Sequence, residues 1–197
     1  MGQQRTTAPS SARGLATRER ILDAASELFY AHGIHATSAD RIIERAGITK
    51  VTFYRHFRSK DDIIVAYLTR IGETELAGIA GIRATAAGAP EAAFDRLAEG
   101  LGSQICRAGF RGCAFINAAA EYADPDHPVR LFVAQHRLRL TEEFAGMLTE
   151  AGVDPVDAAV EEIMMLRDGA MVGGYLSDPD SVSSSLARAF RAVVGVR

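Results

Sequence analysis

A chain of 197 residues that is 48% hydrophobic can bury the core of one or two domains, and no apolar run approaches the roughly 18 residues of a membrane span. Its formal charge of −3 argues as a whole against a polyanionic partner, but residues 1–60 hold ten Lys and Arg against five Asp and Glu, and residues 61–197 hold twelve against twenty. A basic head on an acidic body suits nucleic acid at the head alone.

Residues 1–16 (MGQQRTTAPSSARGLA) contain Thr, Ser, Ala and Gly, two arginines, and almost no large apolar side chain. Such a stretch cannot repay the entropy of ordering, so a disordered basic arm is expected, with Arg5 and Arg13 available to phosphates. Thr17 offers an N-cap. Ile21, Leu22, Ala25, Leu28 and Phe29 then form the stripe of an amphipathic helix that Gly33 ends. Thr37 and Ser38 can accept from the free amides of a second helix, in which Ile42, Ile43 and Ala46 share a face before Gly47 supplies a positive φ. Thr49 caps a third helix with Phe53 and Phe57 on its buried side. Two short helices joined by a glycine turn make a helix-turn-helix, whose second helix fits the DNA major groove. Lys50, Thr52, Tyr54, Arg55 and His56 crowd the exposed side of that helix, with Arg58 and Lys60 following. Donors and cations of these types bond phosphate oxygens.

The string from Ala46 onward is more specific than a helix-turn-helix pattern. Ala46, Gly47, Ile48, Thr49, Thr52, Phe53, Tyr54, His56, Phe57, Ser59, Lys60 and Ile63 stand where TetR-type transcriptional repressors carry their signature, and the chain resembles that family over residues 17–68. The resemblance implies an all-α fold: a three-helix DNA-binding head at residues 17–62 and a helical ligand-binding and dimerisation body at 63–197. It also implies that Thr37, Ser38, Tyr54, His56 and Lys60 grip phosphates, while Lys50, Val51, Thr52 and Arg55, beside the capping Thr49, face the bases. Val51 replaces the family's usual glycine or proline and could touch a thymine methyl. Ala39 stands where some members have a base-reading arginine.

A fourth helix opens at Ser59–Asp62, a serine cap with an acid three residues on, and runs toward Arg83 with Ile64, Tyr67, Leu68, Ile71 and Leu76 as its apolar side. After the break Thr85–Pro90, Phe94, Leu97, Ala98, Leu101 and Ile105 mark a fifth helix. A sixth spans about Cys113–Ala123 before Pro125 and Pro128. Phe132, His136, Leu140, Phe144 and Leu148 mark a seventh that Gly152 stops. Asp154 and Pro155 read as the cap and first residue of an eighth, with Val160, Ile163, Met164, Leu166 and Met171. Val182, Leu186, Ala189, Phe190, Val193 and Val194 mark a ninth. About nine helices and no strand are expected.

For the body, the resemblance implies a homodimer through the eighth and ninth helices, where Gly169, Gly173, Gly174 and Ala189 allow close packing. It also implies an effector pocket among helices 4 to 8. Phe94, Leu101, Phe115, Met164 and Met165 are its candidate walls, each also a candidate for plain core. Asn117, Glu121 and His136 are its candidate polar contacts, and His136 equally suits a satisfied core histidine. Cys106 and Cys113 read as buried small hydrophobes, too few for a disulfide framework, and Asp124, Asp126 and His127 as a proline-flanked turn. The first residues lack a signal peptide's apolar stretch, so the cytoplasm is the expected compartment. No nucleophile–base pair, phosphate loop or metal-ligand spacing stands out. The expected function is therefore a non-enzymatic, cofactor-free regulator: a dimeric repressor on a palindromic operator, released by a small molecule, with an activator as the alternative.

Overall fold

Nine α-helices and no strand make up the residues described, 8–86 and 89–195 of a computed structural model. They are α1 (Ala8–His32), α2 (Ala39–Ala46), α3 (Lys50–His56), α4 (Lys60–Thr85), α5 (Pro90–Ile105), α6 (Ala114–Glu121), α7 (Pro128–Glu150), α8 (Val156–Leu176) and α9 (Pro179–Val194). The all-α class holds. Contacts divide the chain into two units, one ending at Tyr67 and the other beginning at Leu68, so the division falls inside α4.

In the first unit the chain's local chemistry sets each boundary. Ser38 caps α2 by accepting from the Arg41 amide at 3.3 Å, and Thr49 caps α3 by accepting from the Thr52 amide at 3.2 Å, bonds of a kind worth about 1 kcal/mol each. Gly47 closes α2 at φ 62°, ψ 43°, with the Ile48 amide reaching back to the Ile43 carbonyl at 3.2 Å. A side chain there would meet left-handed backbone that L-residues avoid. At the start of α4, Ser59 Oγ accepts from the Asp62 amide at 3.0 Å, and Asp62 Oδ2 accepts from the Ser59 amide at 3.2 Å. That is a reciprocal capping box.

These boundaries aim the apolar faces inward. Ile21, Ala25, Ile42, Phe53, Ile63 and Ile64 are fully buried. Phe29 tilts against Tyr67 at 5.6 Å, Phe53 against Phe57 at 6.1 Å, and the Arg18 guanidinium lies 4.9 Å over the Phe57 ring. Two expectations change. Residues 8–16 are not part of a disordered arm but the first turns of α1; residues 1–7, with Arg5, lie outside the described residues. Extending a helix already held by a buried stripe needs no new nucleus, and alanine and arginine are good helix formers. Thr17 is accordingly no cap: its hydroxyl donates to the Arg13 carbonyl at 2.9 Å within the helix.

In the second unit α5 and α8 both pack on α9, α7 on α8, and α6 on α7. Ile105, Leu140, Phe144, Met147, Ile163 and Phe190 fill its core, with Phe94 edge-on to Phe190 at 6.4 Å. Asp95 pairs with Arg191 at 2.7 Å to tie α5 to α9 at the surface. Pro155 rather than Asp154 is the N-cap of α8. Cys113 is buried but Cys106 is exposed at the C-cap of α5, its thiol 3.4 Å from Asp180 Oδ1, because the helix ends there and turns it outward.

Candidate functional site

α3 presents two unlike faces. Phe53 is fully buried, while Val51 is 80% exposed and Lys50, Tyr54 and Arg55 are exposed around it. Val51 is thus an apolar side chain standing in water between cationic and hydroxyl-bearing neighbours. The Tyr54 ring is braced edge-on against Phe53 at 5.2 Å, so its phenol is carried by the core rather than by a loose side chain. Lys50 Nζ lies 3.3 Å from Asp40 Oδ1, a pair with both side chains well exposed and so weak. Thr52 Oγ1 lies 2.9 Å from Thr49 Oγ1. His56 is half-buried, and among the described residues its Nε2 is a buried ring nitrogen with no hydrogen-bond partner. Lys60, half-buried, opens α4, and Ser38 is exposed at the start of α2.

Thr37 is a correction. Its side chain is fully buried, and its hydroxyl donates to the carbonyls of Gly33 at 2.8 Å and Leu28 at 3.3 Å. It locks the turn between α1 and α2 and is not free to grip a phosphate.

The second unit holds a cavity of about 490 Å³, within the range of small-molecule sites. Ile71, Ile79 and Ile82 of α4, Leu97 and Leu101 of α5 and Phe144 of α7 form its apolar walls; Arg70, Thr74, Glu75, Gln104 and Arg167 supply its polar groups. Among the described residues only Leu101 of the expected pocket set lines it. Phe94 is spent on Phe190, Met164 is core, and Asn117 donates to the Arg111 carbonyl at 2.8 Å. Glu121, half-buried, ends α6 away from these walls. Met165, 69% exposed, faces out of the core altogether, because one residue further along a helix turns the side chain by about 100° from Met164.

His136 and Phe115 lie one shell behind the cavity. Their rings stack at 3.9 Å, and His136 Nε2 meets Glu75 Oε2 at 2.9 Å. Arg167 Nη2 donates to Glu75 Oε1 at 2.5 Å, Nη1 donates to Asp168 Oδ1 at 3.0 Å, and Asp168 is shared with Arg137 at 2.7 Å. Burial by itself would raise the Glu75 carboxyl, but the hydrogen bond with His136 and the charge of Arg167 outweigh it and hold the group below the ordinary carboxylate range. Arg167 is raised further above its already high value: burial opposes the charge, and Glu75 overcomes it. Arg167 Nε is buried without an acceptor among the described residues.

Gly72 makes the His136–Phe115 stack fit. A Cβ there would lie 2.8 Å from His136 Nδ1 and 3.3 Å from Phe115 Cζ. Gly72→Ala is therefore expected to destabilise the chain by about 1–2 kcal/mol despite alanine's better helix propensity. Gly78→Ala, on the same helix with open space around the added carbon, is expected to stabilise by up to about 1 kcal/mol. Chemical denaturation of the two variants checks the contrast, and equal midpoints would refute it.

A third feature is a groove of about 590 Å³ along α8 and α9, lined in part by Met165, Leu166, Gly169, Gly173, Val182 and Ala189. Val172, Tyr175 and Leu176 are exposed further along α8. Elsewhere, Asp124 and His127 serve the turn before α7: Asp124 Oδ1 accepts from the Asp126 amide at 3.0 Å, and His127 Nδ1 from the Val129 amide at 3.3 Å. Among the described residues no helix is long and apolar enough to cross a membrane.

The profile of bacterial regulatory proteins of the tetR family matches residues 21–67. The HTH-type transcriptional activator FasR of Mycolicibacterium smegmatis is 40% identical over 62 residues, which is 32% of this chain and 28% of FasR. The uncharacterized HTH-type transcriptional regulator TtgW of Pseudomonas putida is 39% identical over 59 residues, 30% of this chain and 44% of TtgW. The chain thus spans less than half the length of these curated relatives. Over the whole length it is similar to the crystal structure of SCO4454, a TetR-family transcriptional regulator from Streptomyces coelicolor, with 39% identity, 91% of this chain and 94% of that one covered, and a TM-score of 0.87. With that likeness running through head and body alike, the chain belongs to the TetR family of transcriptional regulators.

Proposed function

We propose that the chain is a DNA-binding repressor that grips a palindromic double-stranded operator as a homodimer and is released by a small-molecule effector. The observation that carries the DNA role is the outward face of α3, where Val51 is 80% exposed amid Lys50, Tyr54 and Arg55. Val51 suits a thymine methyl and Lys50 and Arg55 suit guanine edges, with Thr52 beside them, in the major groove. Ser38, Thr49, Tyr54, His56 and Lys60 suit phosphates, which set register. In this scheme residues 17–62 are the DNA-binding head and 63–197 the body that pairs and takes the effector.

Two heads are needed because half-sites lie about 34–36 Å apart along one face of the duplex. The α8/α9 groove, apolar and glycine-lined, suits a second copy. The effector enters the cavity in the body, walled by α4 residues between Arg70 and Ile82. It lowers operator affinity only through unequal affinity for the two states of the dimer.

Fluorescence anisotropy with operator and random duplexes at two salt concentrations tests the DNA role. Lys60→Ala is expected to weaken binding to every sequence alike and to reduce the salt slope by about one, while Lys50→Ala costs about 1–3 kcal/mol on the operator and blurs one base position. An unchanged salt slope for Lys60→Ala would remove it from the phosphate contacts. A head like that of FasR, named an activator, serves either sign of control, and a promoter–reporter assay with and without the chain gives the sign.

A further inference from the structure

We propose that the body cavity is a receptor for an uncharged molecule, its apolar body seated on Ile79, Leu97, Leu101 and Phe144 and a hydroxyl left at the rim beside Thr74 and Gln104. The assignment rests on the effector role proposed above for the same cavity and adds the chemistry of what enters it.

The first support is the division between floor and rim. Ile79, Leu97, Leu101 and Phe144 line the cavity and are buried, so α4, α5 and α7 all turn hydrocarbon toward its base. Thr74, Gly78, Gly100 and Gln104 line it from exposed positions on α4 and α5, and none of these four carries a charge. A ligand gains most by burying apolar surface below. Its polar atom belongs at the mouth, where water still reaches.

The second is that the charges of the wall are already engaged. Three charged side chains line the cavity, Arg70, Glu75 and Arg167. Glu75 Oε2 meets His136 Nε2 at 2.9 Å, and Glu75 Oε1 accepts from Arg167 Nη2 at 2.5 Å. Arg167 Nη1 donates to Asp168 Oδ1 at 3.0 Å, and Arg137 reaches Asp168 Oδ2 at 2.7 Å. Two carboxylates and two guanidinium groups thus balance. Arg70 is engaged within the chain as well. An entering ion of either sign would shed its hydration and find each counter-charge paired, which makes its transfer costly. An uncharged molecule meets no such cost.

The third is the hydrogen bonding at the rim. Thr74 Oγ1 donates its proton to the Arg70 carbonyl at 2.9 Å, so toward a ligand it acts as an acceptor. The Gln104 carboxamide both donates and accepts. A hydroxyl does both and suits the pair, whereas an ether only accepts and leaves the Thr74 oxygen unmet.

Calorimetric titration of the full-length protein with 1-octanol, octanoate and n-octylamine tests this, since the three share a tail and the last two are ions at about pH 7. Octanol is expected to bind at least about tenfold tighter than either ion. Its isomer 1-methoxyheptane, which lacks the donor, should bind at least about threefold weaker than octanol. Glu75→Gln leaves one guanidinium charge over and should move the selectivity toward octanoate. Arg167→Gln leaves one carboxylate over and should move it toward octylamine. Opposite shifts are a readout that a purely structural role would not give, and Glu75→Gln keeps the test open if the buried arginine variant fails to fold, as its melting curve will tell. Gly100→Leu places a side chain on the cavity wall where an added Cβ meets nothing within 4 Å, and it should abolish octanol binding. An ion bound as tightly as octanol, an ether bound equally well, octanol binding untouched by Gly100→Leu, or no binding at all overturns the proposal. An ion that binds best and releases the operator would overturn it while leaving the proposed function standing. Octanol that binds in the cavity but leaves the operator complex intact would uphold this assignment and remove the release step from the proposed function.

Discussion

Glu75→Ala is expected to lower the stability of the folded chain by about 3–5 kcal/mol, more than any exposed substitution in the molecule. The loss comes from what remains rather than from what is removed. Arg167, with a side chain 5% exposed, loses the carboxylate that lies 2.5 Å from its Nη2, and His136 loses the partner of its Nε2. Asp168 stays on Nη1 at 3.0 Å, but it is already shared with Arg137 and offsets the loss only in part. Glu75→Gln keeps the shape and part of the hydrogen bonding, so it should cost less, about 1–3 kcal/mol. Replacing both charges, as Glu75→Leu with Arg167→Met, should recover most of the loss, because two desolvated charges are then absent together. Urea denaturation of the three variants decides the matter, and Glu75→Ala within about 1 kcal/mol of the parent would mean the pair is not what holds α4 to α8. The same group sets a pH dependence. The folded-state value of Glu75 lies below the ordinary 4.5, so folding favours its deprotonated form. This contribution is complete above the unfolded carboxyl's titration and is lost as pH falls through the lowered folded value. Between pH 5 and pH 3 the parent should therefore lose more stability than Glu75→Gln, which has nothing there to titrate.

How much of this was legible in the sequence depends on how local the cause is. The head was legible because its boundaries are set by neighbours in the chain: Ser38, Gly47, Thr49 and Ser59–Asp62 each act within a few residues. Thr37 was misjudged because two adjacent hydroxyls look alike in sequence, and only the packing of α1 against α2 buries one and exposes the other. The helical start at Ala8 was missed because Ala, Ser and Gly in a polar stretch suit helix and coil equally until a neighbouring stripe holds the helix. In the body the apolar stripes named the core of α5, α7 and α8, but the cavity's polar groups were missed, since Glu75 and Arg167 are 92 residues apart and meet only in three dimensions. A signal was nonetheless present. Arg167 stands on the buried stripe of Ile163, Met164 and Met171, and Glu75 stands four residues from both Ile71 and Ile79. A charge at a core position of an amphipathic helix needs a partner, and two such charges of opposite sign point to each other.

Met165→Glu combined with Val172→Glu is expected to yield a monomer in sedimentation velocity and to cut operator affinity by at least about 100-fold, the avidity that joins two weakly bound heads. Both side chains are exposed, 69% and 45%, and lie seven residues apart on one face of α8. In an isologous interface each acid appears twice, so the two-fold face would carry four new like charges at close quarters. The fold of the single chain should survive, since neither residue belongs to its core. A half-site duplex should bind the variant as it binds the parent, because α3 is untouched. The parent's melting temperature should rise with protein concentration and the variant's should not. A second exposed apolar pair, Leu131 and Leu138 on α7, 54% and 59% exposed, has the same spacing and serves as the control. The choice between the two faces rests on backbone access. α8 carries Gly169 and Gly173 in its groove, which let helix axes approach closely, whereas α7 between Leu131 and Leu138 has no glycine and presents Ala134 and Gln135 instead. Leu131→Glu with Leu138→Glu should therefore leave both dimer and operator binding intact. If this control dissociates the dimer and the α8 variant does not, the subunits pair through α7 and the groove along α8 and α9 belongs to something else.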